Sequence, residues 1–403
     1  MAAGLLFLAL YAVARSSESW CPRRWQGLAI VAFLLSLGAK ETTAVLPILA
    51  VLMDWAYFYR LPWKTWLRER GWLYGLCGGL LLLASPHVAW LWTGESSPVP
   101  RGTYLASEWE AWALYLQLAV WPFGLCFDRG WMPTNVPNWP AAAIVSCVVV
   151  FALARYARHP VSGFPLLAGL ITLLPTSLVP MFDLTFDYRA YLLVAGIVAL
   201  VLAAVFYLCM VNDARKTATM LVLCLAAFLG VLSFERNADY RTGYTLALDT
   251  ALKAPKNPRA LLNLGAEQMK RKEYLFAAQM FSLVMELSPN TGRAWHNRSC
   301  CFLELGYRIP ALVDAAMAQH LEADNPACWN ELGNALASLG NLDEAERAYQ
   351  SALKVDGRYG PAQANLAAVY WATGRKEAAQ EARRLAEASG VEISPPLREA
   401  MGG

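Results

Sequence analysis

Apolar runs crowd the first 236 residues and limit what this part of the chain can become. They recur at roughly 2–14, 25–39, 42–58, 71–93, 139–154, 161–180, 190–210 and 217–233. A helix that crosses a bilayer needs about 20 such residues. The runs from Gly71, Val161, Ala190 and Thr217 meet that length. Only Lys40-Glu41 interrupts the pair 25–39 and 42–58, which predicts a helical hairpin. The run at 109–122, WEAWALYLQLAVWP, is shorter and rich in Trp. It reads as interfacial or re-entrant.

Charge separates the chain into two parts near Arg236. Residues 1–236 hold 16 Lys+Arg and 12 Asp+Glu, and the shorter remainder holds 18 and 19. The first part is therefore a polytopic helical membrane domain, and the second is water-soluble. A formal net charge of +3 is too small to point to nucleic acid. The nine cysteines fall mostly inside apolar runs without CxxC spacing. They read as small core residues, and no spacing marks a metal site.

Short basic loops set orientation. CPRR at 21–24, YRLPWKTWLRER at 59–70, RYARHP at 155–160 and NDARK at 212–216 fit one cytoplasmic side. Lys40-Glu41, residues 94–138 and residues 181–189 then fall on the other side. The last helix exits outward, so the C-terminal half is expected in the periplasm, or in the lumen of a eukaryote.

From Pro326 the sequence runs PACWNELGNALASLGNLDEAERAYQSALKVDG. Trp329, Leu332-Gly333, Ala345, Tyr349 and Ala352 stand at the spacing of the 34-residue tetratricopeptide (TPR) repeat. One unit earlier lie Trp295, Phe302, Ala311 and Ala318. Two units earlier lie Leu264-Gly265, Ala277 and Phe281, and one unit later Leu366, Tyr370 and Ala379. Small residues let two helices pack closely, and each unit covers its neighbour. The reading is a TPR α-solenoid of four units over 258–393. A half-repeat linker helix at 237–257 precedes it, and a flexible tail at 394–403 follows. Arg298-Ser299 replaces Leu-Gly in the second unit, and Gly357 replaces the closing Pro of the third. Such arrays present a concave groove to peptides. Asn330 and Asn334 lie four apart on one helix face, where their amides can pinch an extended backbone.

In the membrane domain, LGAKETTAVLPILAVLMDW at 37–55 and LLPTSLVPM followed by FDYRAYLLVAG at 173–196 come in a fixed order. Together with the TPRs, this order resembles the transmembrane-and-TPR O-mannosyltransferases of the GT-C glycosyltransferase class. The resemblance implies transfer of a sugar from a polyprenyl-phosphate donor on the non-cytoplasmic face. Lys40 and Arg189 stand in the matching segments and Arg129 is a further cation on the same external side, and these are the candidate donor-phosphate ligands, with Glu41 and Asp187 as candidate catalytic carboxylates. Asp54 and Tyr191 are further motif positions. Tyr188 and Leu193 depart from the family's usual Arg and Pro. The acidic motif expected in the first external loop is not found, and the first run is short. Both features lead to the expectation that the N-terminus is incomplete. The resemblance gives no reason to require a divalent metal. The alternative is a non-catalytic membrane-anchored TPR scaffold that binds an acceptor or partner protein.

Overall fold

The computed structural model describes residues 2–18, 20–39, 41–58, 63–93, 99–131, 133–178, 191–211 and 215–402. Every regular element among them is helical. The chain forms two compact units, Met1–Arg236 and Asn237–Gly403.

In the first unit, α1 (Ala2–Glu18) and α2 (Pro22–Ala39) form a hairpin. Ala9, Ala12, Ala29 and Ala32 are buried along it, so the two backbones approach closely. A tight helical turn at Glu41–Val45 leads into α3 (Leu46–Met53) and a widened turn at Asp54–Phe58. The hairpin expected from 25–39 and 42–58 is therefore replaced. Helix α2 pairs with α1, and α3 packs on α1, on α4 (Trp63–Thr93) and on α7 (Pro160–Ile171). Pro47 at the start of α3 helps impose the break, because it cannot continue a helix entering from α2. The basic segment expected as a loop at 59–70 is helical from Trp63 onward.

Helix α5 (Arg101–Val120) is also longer than expected. Tyr104, Ser107, Glu108, Ala111, Leu114, Tyr115 and Leu118 form its buried face at helical spacing. A Trp-rich run starting at 109 hid this stripe, since half of it lies upstream among polar residues. Beyond it come α6 (Trp139–Arg158), then α8 (Leu174–Leu178) after α7, α9 (Tyr191–Val211) and α10 (Arg215–Asp239). Two bonds tie α5 to α8. The Tyr104 hydroxyl donates to the Thr176 carbonyl at 2.8 Å, and Trp112 Nε1 donates to Ser177 Oγ at 2.7 Å. Four helices among the described residues are long and apolar enough to cross a membrane. They are Trp139–Arg158, Pro160–Ser177, Leu192–Cys209 and Thr219–Asp239.

The second unit begins with α11 (Gly243–Lys253), capped by Thr242 and Thr245 and packed on α12 (Pro258–Lys270). Helices α13 (Tyr274–Leu287), α14 (Gly292–Glu304), α15 (Arg308–Leu321) and α16 (Pro326–Ser338) follow. Then come α17 (Leu342–Val355), α18 (Gly360–Ala372) and α19 (Lys376–Ala388). First helices of the pairs start at 258, 292, 326 and 360, and second helices at 274, 308, 342 and 376. Both series step by 34. Ala277, Ala311, Ala345 and Ala379 are fully buried, each where the two helices of a pair meet. The tail differs from its expected flexibility: α20 (Pro395–Ala400) forms, and Ile393 and Met401 join the core of the last pair.

Candidate functional site

Small residues set the groove in the second unit. A Cβ on Gly333 would collide with the Tyr349 ring, so only glycine lets α17 lie this close to α16. That approach brings the Tyr349 hydroxyl to Asn334 Oδ1, to which it donates at 2.9 Å. Asn365 on α18 reaches back across the repeat boundary. Its Nδ2 donates to Asn330 Oδ1 and to Asn334 Oδ1, both at 2.9 Å. Asn334 Nδ2 in turn donates to Glu331 Oε2 at 3.1 Å. On the other side, Ser299 Oγ of α14 lies 3.2 Å from Glu331 Oε1 and 2.9 Å from the Ala311 carbonyl. One polar chain thus joins α14, α16, α17 and α18.

The sequence-predicted pair therefore divides by role. The Asn334 amide oxygen accepts two bonds, and its nitrogen donates to Glu331. Asn334 is a positioning residue. The Asn330 amide nitrogen and the Asn365 amide oxygen have no hydrogen-bond partner among the described residues, and these two atoms are a donor and an acceptor. Sequence reading missed Asn365 because its bonds cross between repeats, 35 and 31 residues apart. A search confined to one helix face cannot find such a pair.

The buried Glu331 also sets the electrostatics. No Lys or Arg pairs with it among the described residues. Desolvation by burial, with Glu331 adding to it, pushes the Cys300 thiol and the Tyr349 hydroxyl far up. Cys328 and Cys301 are pushed to about 12, again chiefly by burial. These thiols stay protonated and behave as packed, inert side chains.

In the first unit, Asp54 is 1% exposed and held on all sides. Arg70 Nη1 donates to both of its carboxylate oxygens at 2.8 and 2.9 Å, and Trp66 Nε1 and the Tyr74 hydroxyl donate to Oδ2 at 3.3 and 2.5 Å. Arg70 Nη2 also donates to Ser17 Oγ. Asp54 therefore neutralises a buried guanidinium and ties the end of α3 to α1 and α4. Arg129 Nη2 donates to the Gly124 carbonyl of its own loop at 2.8 Å. Glu41 opens the turn after α2, and Tyr191 opens α9. Lys40, Asp187 and Arg189 lie outside the described residues.

The repeat step and the Gly333–Tyr349 contact together define one architecture. Residues 326–359 match the tetratricopeptide repeat family. Small glutamine-rich tetratricopeptide repeat-containing protein 2 of Mycosarcoma maydis is 33% identical over 92 residues, which is 23% of this chain and 26% of that protein. The STIP1 homologue of Dictyostelium discoideum is 34% identical over 94 residues, 23% of this chain and 17% of that protein. The TPR match thus spans about a quarter or less of these relatives' lengths. Among solved structures, MamA aligns at 17% identity and TM-score 0.34, covering 39% of this chain and 91% of MamA. The first TPR of Spaghetti (RPAP3), bound to the HSP90 peptide SRMEEVD, aligns at 21% identity and TM-score 0.28, covering 29% and 93%.

Proposed function

We propose that the chain is a membrane-anchored TPR scaffold whose groove holds an extended segment of a partner protein. The carrying observation is the unpartnered amide pair, Asn330 Nδ2 and Asn365 Oδ1, fixed from behind by Asn334, Tyr349 and Glu331. A donor and an acceptor on neighbouring helices match the N–H and C=O of an extended peptide. Four apolar helices support anchoring, and the basic loops support a groove on the non-cytoplasmic side.

The test is a displayed library of random peptides panned on the Asn237–Gly403 unit. A selected peptide is then measured against Asn330→Ala/Asn365→Ala. Two lost amide hydrogen bonds at about 1 kcal/mol each predict roughly 30-fold weaker binding. Equal affinity for the double variant would remove the amide pair from the mechanism.

A second proposal is the GT-C glycosyltransferase reading, carried by the order of the Lys40-Glu41, Asp54 and Asp187-Arg189 motifs. There a polyprenyl-phosphate-linked sugar is the donor, Lys40, Arg129 and Arg189 hold its departing phosphate, and the carboxylate of Glu41 or Asp187 is the candidate that accepts the proton of the attacking hydroxyl. Sugar transfer by membranes carrying the protein, lost in Arg189→Ala and kept in Asn330→Ala/Asn365→Ala, separates this reading from the scaffold.

A further inference from the structure

A polar hollow of the first unit plays no part in the scaffold proposal and meets the glycosyltransferase proposal only at Asp54. It has a volume of about 610 Å³ and lies between the α1–α2 turn and the first turns of α4. Arg23, Arg68, Arg70, Gln26, Ser16 and Trp66 are among its walls. The size falls within the range of small-molecule sites, roughly 300–1,000 Å³.

Its charge is unbalanced. Arg70 is satisfied by Asp54. Glu69 is the other carboxylate lining the hollow, against three guanidinium groups. Arg23 and Arg68 make no ion pair among the described residues. A second observation points inward. Gln26 is only 5% exposed and makes no side-chain hydrogen bond among the described residues, yet its carboxamide atoms are not sealed off from the cavity that it lines. An amide that opens into a cavity finds its hydrogen-bond partner there, in water or in a ligand.

We propose that this hollow binds a phosphate-bearing ligand, with Arg23 and Arg68 gripping the phosphate and Gln26 bonding the adjoining polar group. Guanidinium forks match phosphate oxygens bidentately. The Asp54–Arg70 pair holds the floor rigid, because it fixes α4 to α1 through Ser17. This is not the end of α2 at which Glu41 stands. Arg23 lies at the start of that helix, whose 18 residues span about 27 Å. Phe7, Tyr11, Leu28, Val31 and Leu35 expose an apolar flank on the same hairpin. A phospholipid fits such a flank with its headgroup in the hollow, and a soluble organic phosphate satisfies the same cations. The inference is independent of the TPR groove, whose residues all lie in the other unit.

The experiment uses the full chain in detergent, with native mass spectrometry reading bound phosphatidylglycerol against diacylglycerol, which has the same chains and no phosphate. Wild type is expected to retain the anionic lipid roughly tenfold better. Arg23→Gln/Arg68→Gln, which spares the Asp54–Arg70 pair, should lose roughly tenfold per cation. Gln26→Leu should weaken binding without changing charge, which a merely electrostatic surface effect would not do. Far-ultraviolet circular dichroism checks that each variant keeps its helices. Glycerol 3-phosphate is then added as competitor. Displacement of the lipid identifies a soluble phosphate as sufficient, and resistance identifies the lipid, both in support. Binding that is equal for the two lipids with no uptake of glycerol 3-phosphate, or unchanged in the folded variants, would overturn the proposal.

Discussion

Replacing Arg298 by Leu restores the residue type common at that repeat position, yet it should destabilise the second unit. Arg298 Nε and Nη2 donate to the two oxygens of Asp314 at 2.7 and 2.9 Å, and Nη1 donates to Ser282 Oγ at 2.9 Å. Its guanidinium lies 5.4 Å from the ring centres of both Trp295 and Phe302. The Asp314 side chain is 3% exposed and cannot turn to water when the cation goes. Removing one partner of a buried pair costs about 3 kcal/mol or more. Asp314→Ala should cost less, about 2 kcal/mol, because Arg298 is 20% exposed and its head can reach solvent. With neither charge present nothing is stranded, so Arg298→Leu/Asp314→Ala should also cost about 2 kcal/mol. The coupling is then about 3 kcal/mol, near the upper end for contacting residues. Urea unfolding of Asn237–Gly403, followed by circular dichroism, measures all four corners of the cycle. Additive single effects, or an Arg298→Leu cost below about 0.5 kcal/mol, would refute the argument that a matched pair replaces the usual Leu-Gly.

Three further outcomes follow from the repeat geometry. Lys272 adopts φ 62° at the turn where Gly306, Gly340 and Gly374 stand in later units, so Lys272→Gly should stabilise by about 0.5–1 kcal/mol, read as a higher urea midpoint. Gly333→Ala should destabilise by about 1–3 kcal/mol and shift Tyr349, because the new methyl group meets its ring; tyrosine fluorescence and melting check both. The Arg375 guanidinium holds the Glu346 carboxyl below its ordinary value of 4.5, so that pair stabilises the fold above this pH and loses its effect as pH falls through the lowered folded value. Arg375→Gln should therefore narrow the stability gap to wild type on the acid side only, in melts taken across pH 3–7.

The repeat was readable because its constraints are periodic and local. Ala311 and Ala345 are small for the same reason in each unit, and the helix starts keep the 34-residue step that the letters show. What lay hidden was non-periodic. In the letters Arg298 is only a departure from the usual Leu, whereas in the structure Asp314 and Ser282 stand beside it on the two neighbouring helices. Asn330 and Asn334 were visible on one face of α16, but Asn365 and Tyr349 were not, since their bonds cross elements. In the first unit, run length alone predicted a hairpin from the wrong neighbours. Apolar runs state how much surface avoids water and say little about which helix covers which. The Asp54–Arg70 pair illustrates the same limit: 16 residues and a widened turn separate two charges that meet in the core.

The departures in the second unit also make the groove more rigid than the repeat alone would. Ser299 stands where a glycine is usual, and its hydroxyl lies within bonding distance of both the Ala311 carbonyl and Glu331. Glu331 then orients Asn334, and Asn334 receives Tyr349 and Asn365. Each amide in that chain has its rotamer fixed by a neighbour before any peptide arrives. Ordering a rotamer-rich side chain on binding costs roughly 0.5–1.5 kcal/mol, so two pre-ordered amides avoid about 1–3 kcal/mol of that cost. Ser299→Ala tests the link, since Ser299 contacts neither Asn330 nor Asn365 directly. A selected peptide should bind Ser299→Ala several-fold more weakly if Glu331 loses its orientation. Unchanged affinity would mean that Tyr349 and Asn365 hold the groove without help from Ser299 and the repeat that carries it.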